Sequence, residues 1–158
     1  MITVRPATPA DVPLILSLVR DLAEYEQSLD QVVATEENLR EDLFGSRPIC
    51  GCLVGEVGGI AQGFALYFFN YSTWVGRRGL YLEDLFVRPA ARGKGLGKAL
   101  FTRVAQVAVE NGCQRMDWAV LDWNTPAIDF YHRLGAASLT EWTLFRLREG
   151  PLKDVADG

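Results

Sequence analysis

Residues that bind metal ions are scarce in this sequence of 158 residues. It contains one histidine, His132, and three cysteines, Cys50, Cys52 and Cys113. A zinc site needs about four such ligands at short spacings, and the chain offers no group of this kind. Cys50 and Cys52 are two residues apart, so on a strand they would point to one face as small core side chains. The sequence therefore predicts chemistry that uses no metal.

Long apolar runs and an excess of basic charge are also missing. No run approaches the roughly 18 apolar residues of a membrane-spanning helix. The amino terminus has no basic start followed by an apolar stretch, so we expect a cytoplasmic protein. The net charge of −4 disfavours nucleic acid as a partner. With 49% apolar residues we expect one domain over residues 1–149, followed by a polar tail over residues 150–158.

The acidic residues are concentrated in one part of the chain. Between Asp21 and Asp42 there are eight acidic residues and one basic residue, Arg40. We expect most of these carboxylates on solvated helix faces. Others can attract a cationic substrate, because clustered charges of one sign favour a ligand of the opposite sign.

The most informative stretch is LYLEDLFVRPAARGKGLGKALF, residues 80–101. Its first half is an apolar, β-prone run that ends at Pro89, and from Leu96 it has helical periodicity. The connecting residues 92–97 contain three alternating glycines. Such glycines let the backbone approach a ligand with its N–H groups turned outward, and the helix start adds further N–H groups. The pattern indicates an anion-binding loop between a strand and a helix.

Spacing separates three kinds of phosphate-binding loop. The Walker loop requires Lys followed by Ser or Thr, whereas Lys98 is followed by Ala99. The dinucleotide loop requires G-x-G-x-x-G, whereas the glycines here are Gly93, Gly95 and Gly97. The remaining pattern, Arg-x-x-Gly-x-Gly after a strand with acidic residues, resembles the pyrophosphate loop of the GCN5-related N-acetyltransferases (GNAT). A flexible glycine turn into an ordinary amphipathic helix is the alternative without a ligand.

The other periodicities predict an α/β chain. Thr8 and Pro9 begin one helix, and Thr35 begins a second helix that ends at Gly45. Strands over residues 50–57 and 60–71 are joined by Gly58-Gly59, a strong hairpin signal. Further expected elements are a first strand over 2–5, a strand over 115–121, a helix that runs to Leu134 and a final hairpin with alternating residues over 142–148.

Several segments together resemble the diamine acetyltransferase branch of the GNAT superfamily. They are RPATPAD at 5–11, LAEYE at 22–26, TEENLREDLFG at 35–45, YLEDLFV at 81–87 and WNTPAIDFYHRLGA at 123–136. This branch includes spermidine/spermine and thialysine acetyltransferases, and VLDWN at 120–124 is closer to the latter. The resemblance covers nearly the whole chain. It implies a mixed sheet of about seven strands with four helices, splayed between the fourth and fifth strands.

The resemblance also implies a reaction. The acetyl group of acetyl-coenzyme A would move to a primary amine of a polyamine, a diamine or a thialysine-like amino acid, by direct attack in a ternary complex. It further implies a homodimer. Covalent catalysis is disfavoured because no cysteine lies in the motif segments and His132 has no evident partner. Two alternatives stay open: a coenzyme A-binding or sensing module without catalysis, and an enzyme of this superfamily that acts on a peptide amine.

Two side chains are candidates for proton transfer. An alkylamine with a pKa of about 10.4 is almost wholly protonated at neutral pH, so a base must accept a proton. Glu83 is the candidate base, because on an ideal strand it shares a face with Leu85 and Val87, and apolar neighbours raise a carboxylate's pKa. Asp84 is expected on the opposite face unless a bulge intervenes. The resemblance assigns to Tyr131 the role of the acid that protonates the departing thiolate.

The resemblance also assigns binding residues. The coenzyme is expected to contact Leu85, Phe86, Val87, Arg92, Gly93, Lys94, Gly95, Leu96, Gly97, Lys98, Asn124, Thr125, Pro126 and Tyr131. The amine is expected to contact Tyr25, Glu26, Trp74, Glu83, Asp84 and Glu141. Ser72 stands where the polyamine enzymes have an acidic residue, and this favours a small amine over spermine.

Overall fold

The computed structural model describes the whole chain, residues 1–158. Its elements are β1 (Ile2–Pro6), α1 (Val12–Tyr25), α2 (Glu36–Phe44), β2 (Gly51–Val57), β3 (Ile60–Ser72), β4 (Arg77–Val87), α3 (Leu96–Glu110), β5 (Met116–Asp117), α4 (Thr125–Arg133) and α5 (Glu149–Ala156). Short 3-10 turns over Pro9–Asp11, Leu29–Gln31 and Pro89–Ala91 precede α1, α2 and α3. Tertiary contacts group the elements into two units, Met1–Ala119 and Val120–Gly158.

The first unit contains one mixed sheet of five strands, in the order β1-β2-β3-β4-β5. The first four strands are antiparallel neighbours, and β5 runs parallel to β4. The predicted hairpin between β2 and β3 is confirmed, and both Gly58 and Gly59 have a positive φ, 59° and 79°. β5 pairs only with Leu80 and Tyr81 of β4. The C-terminal part of β4, residues 82–87, therefore has no partner in β5.

The α/β class is confirmed, but the predicted count of seven strands and four helices is wrong. Five strands and five helices are present. The strand predicted over 115–121 is reduced to β5, and the final hairpin over 142–148 forms no strand. Alternating apolar residues form a strand only where a neighbouring strand supplies backbone hydrogen bonds, and the second unit contains none. Leu144 and Phe145 of this segment are accordingly exposed.

The second unit consists of two helices and their connections. Asn124 caps α4, and its side chain accepts the Ala127 N–H at 3.4 Å. The predicted stop of this helix is confirmed at Gly135, which has a φ of 90°. Most of the polar tail predicted over residues 150–158 is helical, in α5. Glu149 in the first turn and Lys153 in the last turn favour this helix, because each charge complements its end of the helix dipole.

Hydrophobic clusters cover both faces of the sheet in the first unit. The cluster that joins α3 to the strands consists of Leu53, Ala65, Leu80, Leu82, Leu96, Leu100, Val104, Val107 and Ala108. The cluster that joins α1 and α2 to the strands consists of Ile15, Leu18, Leu43, Cys52, Phe64 and Phe86. Adjacent residues such as Phe64 and Ala65 belong to different clusters because successive strand side chains point to opposite faces. None of the helices is both long enough and apolar enough to cross a membrane.

The start of α1 is held by a network of ion pairs. Arg5 of β1 lies 2.8 Å from a carboxylate oxygen of Asp11 and 2.8 Å from one of Glu56. Asp11 also accepts the Thr8 N–H at 2.7 Å, in the predicted capping arrangement. The hydrogen bonds from Arg5 are the main reason that the pKa of Asp11 is lowered to about 2. The network thus ties the first two strands to the first helix.

Two glycines allow the first turn of α3 to lie against the sheet. Gly55 of β2 and Gly63 of β3 are register partners. A Cβ atom at Gly55 would lie 2.8 Å from the Cδ1 atom of Leu96 and 3.1 Å from that of Leu100. A Cβ atom at Gly63 would lie 2.7 Å from the backbone oxygen of Phe86. The absence of side chains on this glycine pair therefore sets how closely the start of α3 approaches the sheet.

Replacement of Gly55 by alanine should lower the free energy of unfolding by about 1–3 kcal/mol, the usual cost of an extra carbon atom in a packed site. The reason is that Leu96 must move away from the new methyl group. Urea unfolding followed by circular dichroism measures the change. Gly150→Ala is the control, since a Cβ atom there meets nothing within 4 Å. An unchanged unfolding midpoint for Gly55→Ala would show that α3 does not depend on this close approach.

Candidate active site

A β-bulge interrupts β4 at Glu83. Leu82 pairs with Tyr67 of β3 and Asp84 pairs with Leu66, so Glu83 is an extra residue without a partner. On a regular strand Asp84 is predicted to lie on the face opposite to Glu83, and a bulge is the feature that would change this arrangement. The structure contains this feature.

The bulge turns Asp84 toward the α1 side of the sheet. Leu82 before the bulge and Leu85 after it both pack in the cluster against α3, although they are three residues apart. Phe86 packs in the cluster against α1, and Asp84, two residues earlier, shares its face. Asp84 is partly buried, whereas Glu83 is exposed. The partly buried setting that the sequence analysis expected for Glu83 therefore belongs to Asp84.

Two carboxyl groups, those of Glu83 and Glu26, act on a third, that of Asp84. Burial, followed by the nearby charges of Glu83 and Glu26, raises the pKa of Asp84 to about 7. Burial also raises the pKa of Glu26, which is the C-cap residue of α1. No group of three or more His, Cys, Asp or Glu side chains in the structure is placed to hold a metal ion. Mutual repulsion of these carboxylates favours a ligand that carries positive charge.

The end of α1 touches the glycine loop. Tyr25 is the last residue of α1, and its ring centre lies 6.5 Å from that of Phe86. The Arg92 guanidinium lies 4.7 Å from the Tyr25 ring centre, within the range of a cation–π contact. The structure thus brings together a residue assigned to the amine and a residue assigned to the coenzyme. Tyr25 already has a cation from its own chain over its ring.

Arg88 fixes α1 to the end of β4, and the sequence analysis did not identify it. Its Nε atom donates to an Asp21 carboxylate oxygen at 2.7 Å, and its NH2 atom donates to the Ser17 hydroxyl at 2.8 Å. The partners lie 67 and 71 residues away along the chain, so no local pattern could have revealed them. The pair positions the end of α1, with Glu26, beside β4.

The glycine loop has a backbone suited to an anion. Gly93 and Gly95 have φ values of 76° and 91°, a region that favours glycine. Gly95 is also the N-cap of α3, so the unpaired N–H groups of the helix start lie within the loop. The Leu96 side chain is buried and anchors this turn, which leaves only its backbone for a ligand. A Cβ atom at Gly93 would meet nothing within 4 Å, so the outer side of the loop is open.

Cations and backbone groups extend the loop on both sides. Lys94 and Lys98 are exposed. The Arg88 N–H donates to Gln62 of β3, so Val87, one residue earlier, directs its backbone groups toward the side where β5 has ended. The Val87 carbonyl accepts a hydrogen bond from Arg92 Nε at 2.9 Å. This edge of β4 is the one that the resemblance assigned to pantetheine.

The β3–β4 turn contains two more of the predicted positions. The Ser72 side chain is buried and accepts the Val75 N–H at 3.3 Å, and its carbonyl accepts the Gly76 N–H at 2.8 Å. Ser72 therefore caps the turn. Trp74, assigned to the amine, is 92% exposed. The structure gives its side chain no packing against the three carboxyl groups.

The remaining predicted residues belong to the second unit. Thr125 and Pro126 form the first turn of α4 after the cap at Asn124. Tyr131 lies near the end of this helix, with its ring centre 5.4 Å from that of Phe130. Glu141, another of the predicted substrate contacts, is exposed in a turn.

Comparison with known proteins finds relatives that match nearly the whole chain. Thialysine N-epsilon-acetyltransferase from Bos taurus is 44% identical over 98% of this chain and 97% of its own. Spermidine/spermine N(1)-acetyltransferase-like protein 1 from Homo sapiens is 37% identical over 97% of this chain and 23% of its own. L-ornithine N5-acetyltransferase from Arabidopsis thaliana is 33% identical over 96% of this chain and 86% of its own. Two of these names describe N-acetyltransferases, and the third describes a protein that resembles one.

The fold and the family model agree with these relatives. An integron cassette protein from the mobile metagenome of V. cholerae has a TM-score of 0.82 and 25% identity, over 99% of this chain and 98% of its own. The model of the acetyltransferase (GNAT) family matches residues 16–136. That range includes the bulged strand, the glycine loop and Tyr131. The chain therefore belongs to the acetyltransferase (GNAT) family.

Proposed function

We propose that the protein transfers the acetyl group of acetyl-coenzyme A to a primary amine of a small cationic substrate. The observation that carries this proposal is a cluster of three carboxyl groups: Glu83 and Asp84 lie on the strand that leads into the glycine loop, and Glu26 at the end of α1 acts on Asp84. A cation site and an anion loop at two ends of one short segment suit a positively charged amine and a pyrophosphate. Membership of the acetyltransferase family supports the same reaction.

The loop residues 92–98 would hold the pyrophosphate of acetyl-coenzyme A. The helix start at Gly95 offers N–H groups and its positive dipole end, and Lys94 and Lys98 add charge. The open edge of β4 at Leu85 and Val87 would pair with the amide groups of pantetheine. Asn124 to Pro126 are assigned to the coenzyme by the resemblance alone.

The reaction needs a proton acceptor for the amine and a proton donor for the thiolate. The strand pattern of the sequence proposes Glu83 for the first role, and the resemblance proposes Tyr131 for the second. Glu26, Glu83 and Asp84 form a cluster of carboxyl groups, called the carboxyl set below. The position of Glu83 in this set supports its proposed role toward the amine. A homodimer and a cytoplasmic location complete the proposal, and the resemblance and the sequence composition carry them.

A lysine-like amino acid with a distal amine, such as thialysine, is the proposed substrate class. Thialysine and ornithine in the names of two relatives are amino acids of this kind, and a third relative is named for polyamines. Ser72 caps a turn and provides no charge for a second cationic group of a long polyamine. A coenzyme A-binding module without catalysis is less well supported, since these relatives are named as acetyltransferases.

Gly95→Asp should weaken binding of acetyl-coenzyme A by at least about tenfold, because a carboxylate at the helix start repels the pyrophosphate. Isothermal titration calorimetry measures the dissociation constant. Gly58→Asp is the matched control: Gly58 also has a positive φ, and a Cβ atom there meets nothing within 4 Å. If folded Gly95→Asp and wild-type protein bind acetyl-coenzyme A with equal affinity, the coenzyme does not bind at this loop.

Tyr131→Phe should lower kcat by about 10²-fold or more, the usual effect of removing a proton-transfer group, and leave the affinity for acetyl-coenzyme A unchanged. Steady-state release of coenzyme A measures the rate. Tyr71→Phe serves as a control, since Tyr71 is 63% exposed. Normal turnover by Tyr131→Phe across the pH range would assign this residue a packing role only.

A panel of amines should separate the substrate classes. We expect thialysine, lysine or a short diamine to give a higher kcat/KM than spermine or spermidine at one pH, because Ser72 supplies no negative charge for the additional cationic groups of a long polyamine. A peptide with a free α-amine belongs in the same panel. Preference for spermine by tenfold or more would overturn the small-amine assignment and leave the reaction unchanged. Preference for the peptide would favour another branch of the family.

A further inference from the structure

We propose that Asp84, rather than Glu83, accepts the proton from the ammonium group of the substrate. This inference rests on the proposed function and deepens it, because it assigns the acceptor within the carboxyl set. The geometry of the bulge, the neighbours of Asp84 and the chemistry of an amine each support it.

The bulge gives Asp84 its position. On a regular strand Asp84 would share the face of Leu82, which packs into the apolar cluster against α3. The extra residue at Glu83 turns Asp84 to the opposite face, toward the end of α1. The bulge removes one regular pairing position between β4 and β3. The carboxylate that gains an enclosed position from this irregularity is Asp84, and Glu83 is left exposed.

The neighbours of Asp84 leave its charge uncompensated. Negative charges act on it from Glu83 in its own strand and from Glu26 at the end of α1. From β2 it faces Cys52, whose buried thiol has its pKa raised to about 12 and is therefore neutral. Arg92, on the same side of the sheet, lies over Tyr25 and Phe86. None of the ion pairs in the structure includes Asp84, Glu83 or Glu26. A substrate ammonium would supply the missing positive charge.

An acceptor works best when its pKa lies near the working pH. The pKa of Asp84, about 7, meets this requirement, and it is raised mainly by burial. The ammonium gives one proton to the Asp84 carboxylate, and the nitrogen lone pair then forms a bond with the acetyl carbonyl carbon. The carbon–sulfur bond breaks, the nitrogen loses a second proton, and the thiolate gains one. The proton on Asp84 finally leaves to solvent, so one proton is released for each amide formed.

The sign of the pH dependence follows from this step. Asp84 must be ionised to accept a proton, so kcat/KM should rise with pH through about 7 and then level off. Removal of either neighbouring negative charge lowers the pKa of Asp84, because less repulsion opposes its ionisation. Glu26→Gln and Glu83→Gln should therefore both move the rising limb to lower pH.

The experiment is a set of kcat/KM profiles from about pH 5.5 to 9.5 with the best amine of the panel. Asp84→Asn should lose about 10²-fold or more at pH 7 and should no longer level off near that pH. Its deficit should shrink about tenfold per pH unit above 7, because the amine then loses its proton in solution. Affinity for acetyl-coenzyme A should stay unchanged. Glu24→Gln, on the exposed side of α1, is the control that should keep the wild-type profile.

Two results would overturn the inference alone. In the first result, the kcat/KM profile of Asp84→Asn still rises near pH 7, whereas the profile of Glu83→Gln no longer does. The other is a Glu26→Gln protein whose limb does not move, and this result decides the matter even if Asp84→Asn does not fold. Wild-type protein that binds acetyl-coenzyme A but acetylates no amine of the panel would overturn the proposed function as well.

Discussion

The contact between the first turn of α3 and the glycine pair Gly55 and Gly63 determines the position of the glycine loop. Leu96 and Leu100 lie where side chains of these residues would otherwise be, so the helix start rests close to the sheet. The free N–H groups of the loop belong to the helix start. The distance of the helix start from the sheet therefore fixes the position of these N–H groups relative to β4. A pyrophosphate bound at the loop would extend its pantetheine arm along the edge of β4 that β5 leaves without a partner. Packing in the core and binding at the surface thus depend on the same two small residues.

A second constraint places the amine side of the site. The bulge at Glu83 presents Asp84 toward α1, and Arg88 holds α1 in place through Asp21 and Ser17. Because α1 runs against β4 in the opposite direction, its last residues reach the bulge. One strand therefore carries carboxyl groups at its middle and, at its end, the backbone edge that is proposed to contact the coenzyme.

The sequence was sufficient for the parts of the fold that local chemistry decides. Gly58-Gly59 and the alternating glycines up to Gly97 are of the residue type that readily adopts the positive φ angles of tight turns and loops, so their hairpin and loop could be predicted. The choice between Glu83 and Asp84 could not be made in this way, because the residues are adjacent and chemically alike. Only the pairing with Leu66 and Tyr67 reveals the extra residue. The last predicted hairpin failed for a related reason, since alternation describes one strand and a sheet requires a partner.

The carboxyl set has a consequence for the stability of the protein itself. A carboxyl group whose pKa is higher in the folded than in the unfolded chain favours folding at low pH, and this contribution is lost as pH rises through the folded value. For Asp84 that loss occurs between the ordinary pKa of an aspartate and about 7. Near neutral pH, the ionisation of Asp84 therefore lowers the free energy of unfolding when no cation lies beside its carboxylate. The ammonium group of the proposed substrate would remove this destabilisation, so the substrate would itself stabilise the fold of the site that binds it.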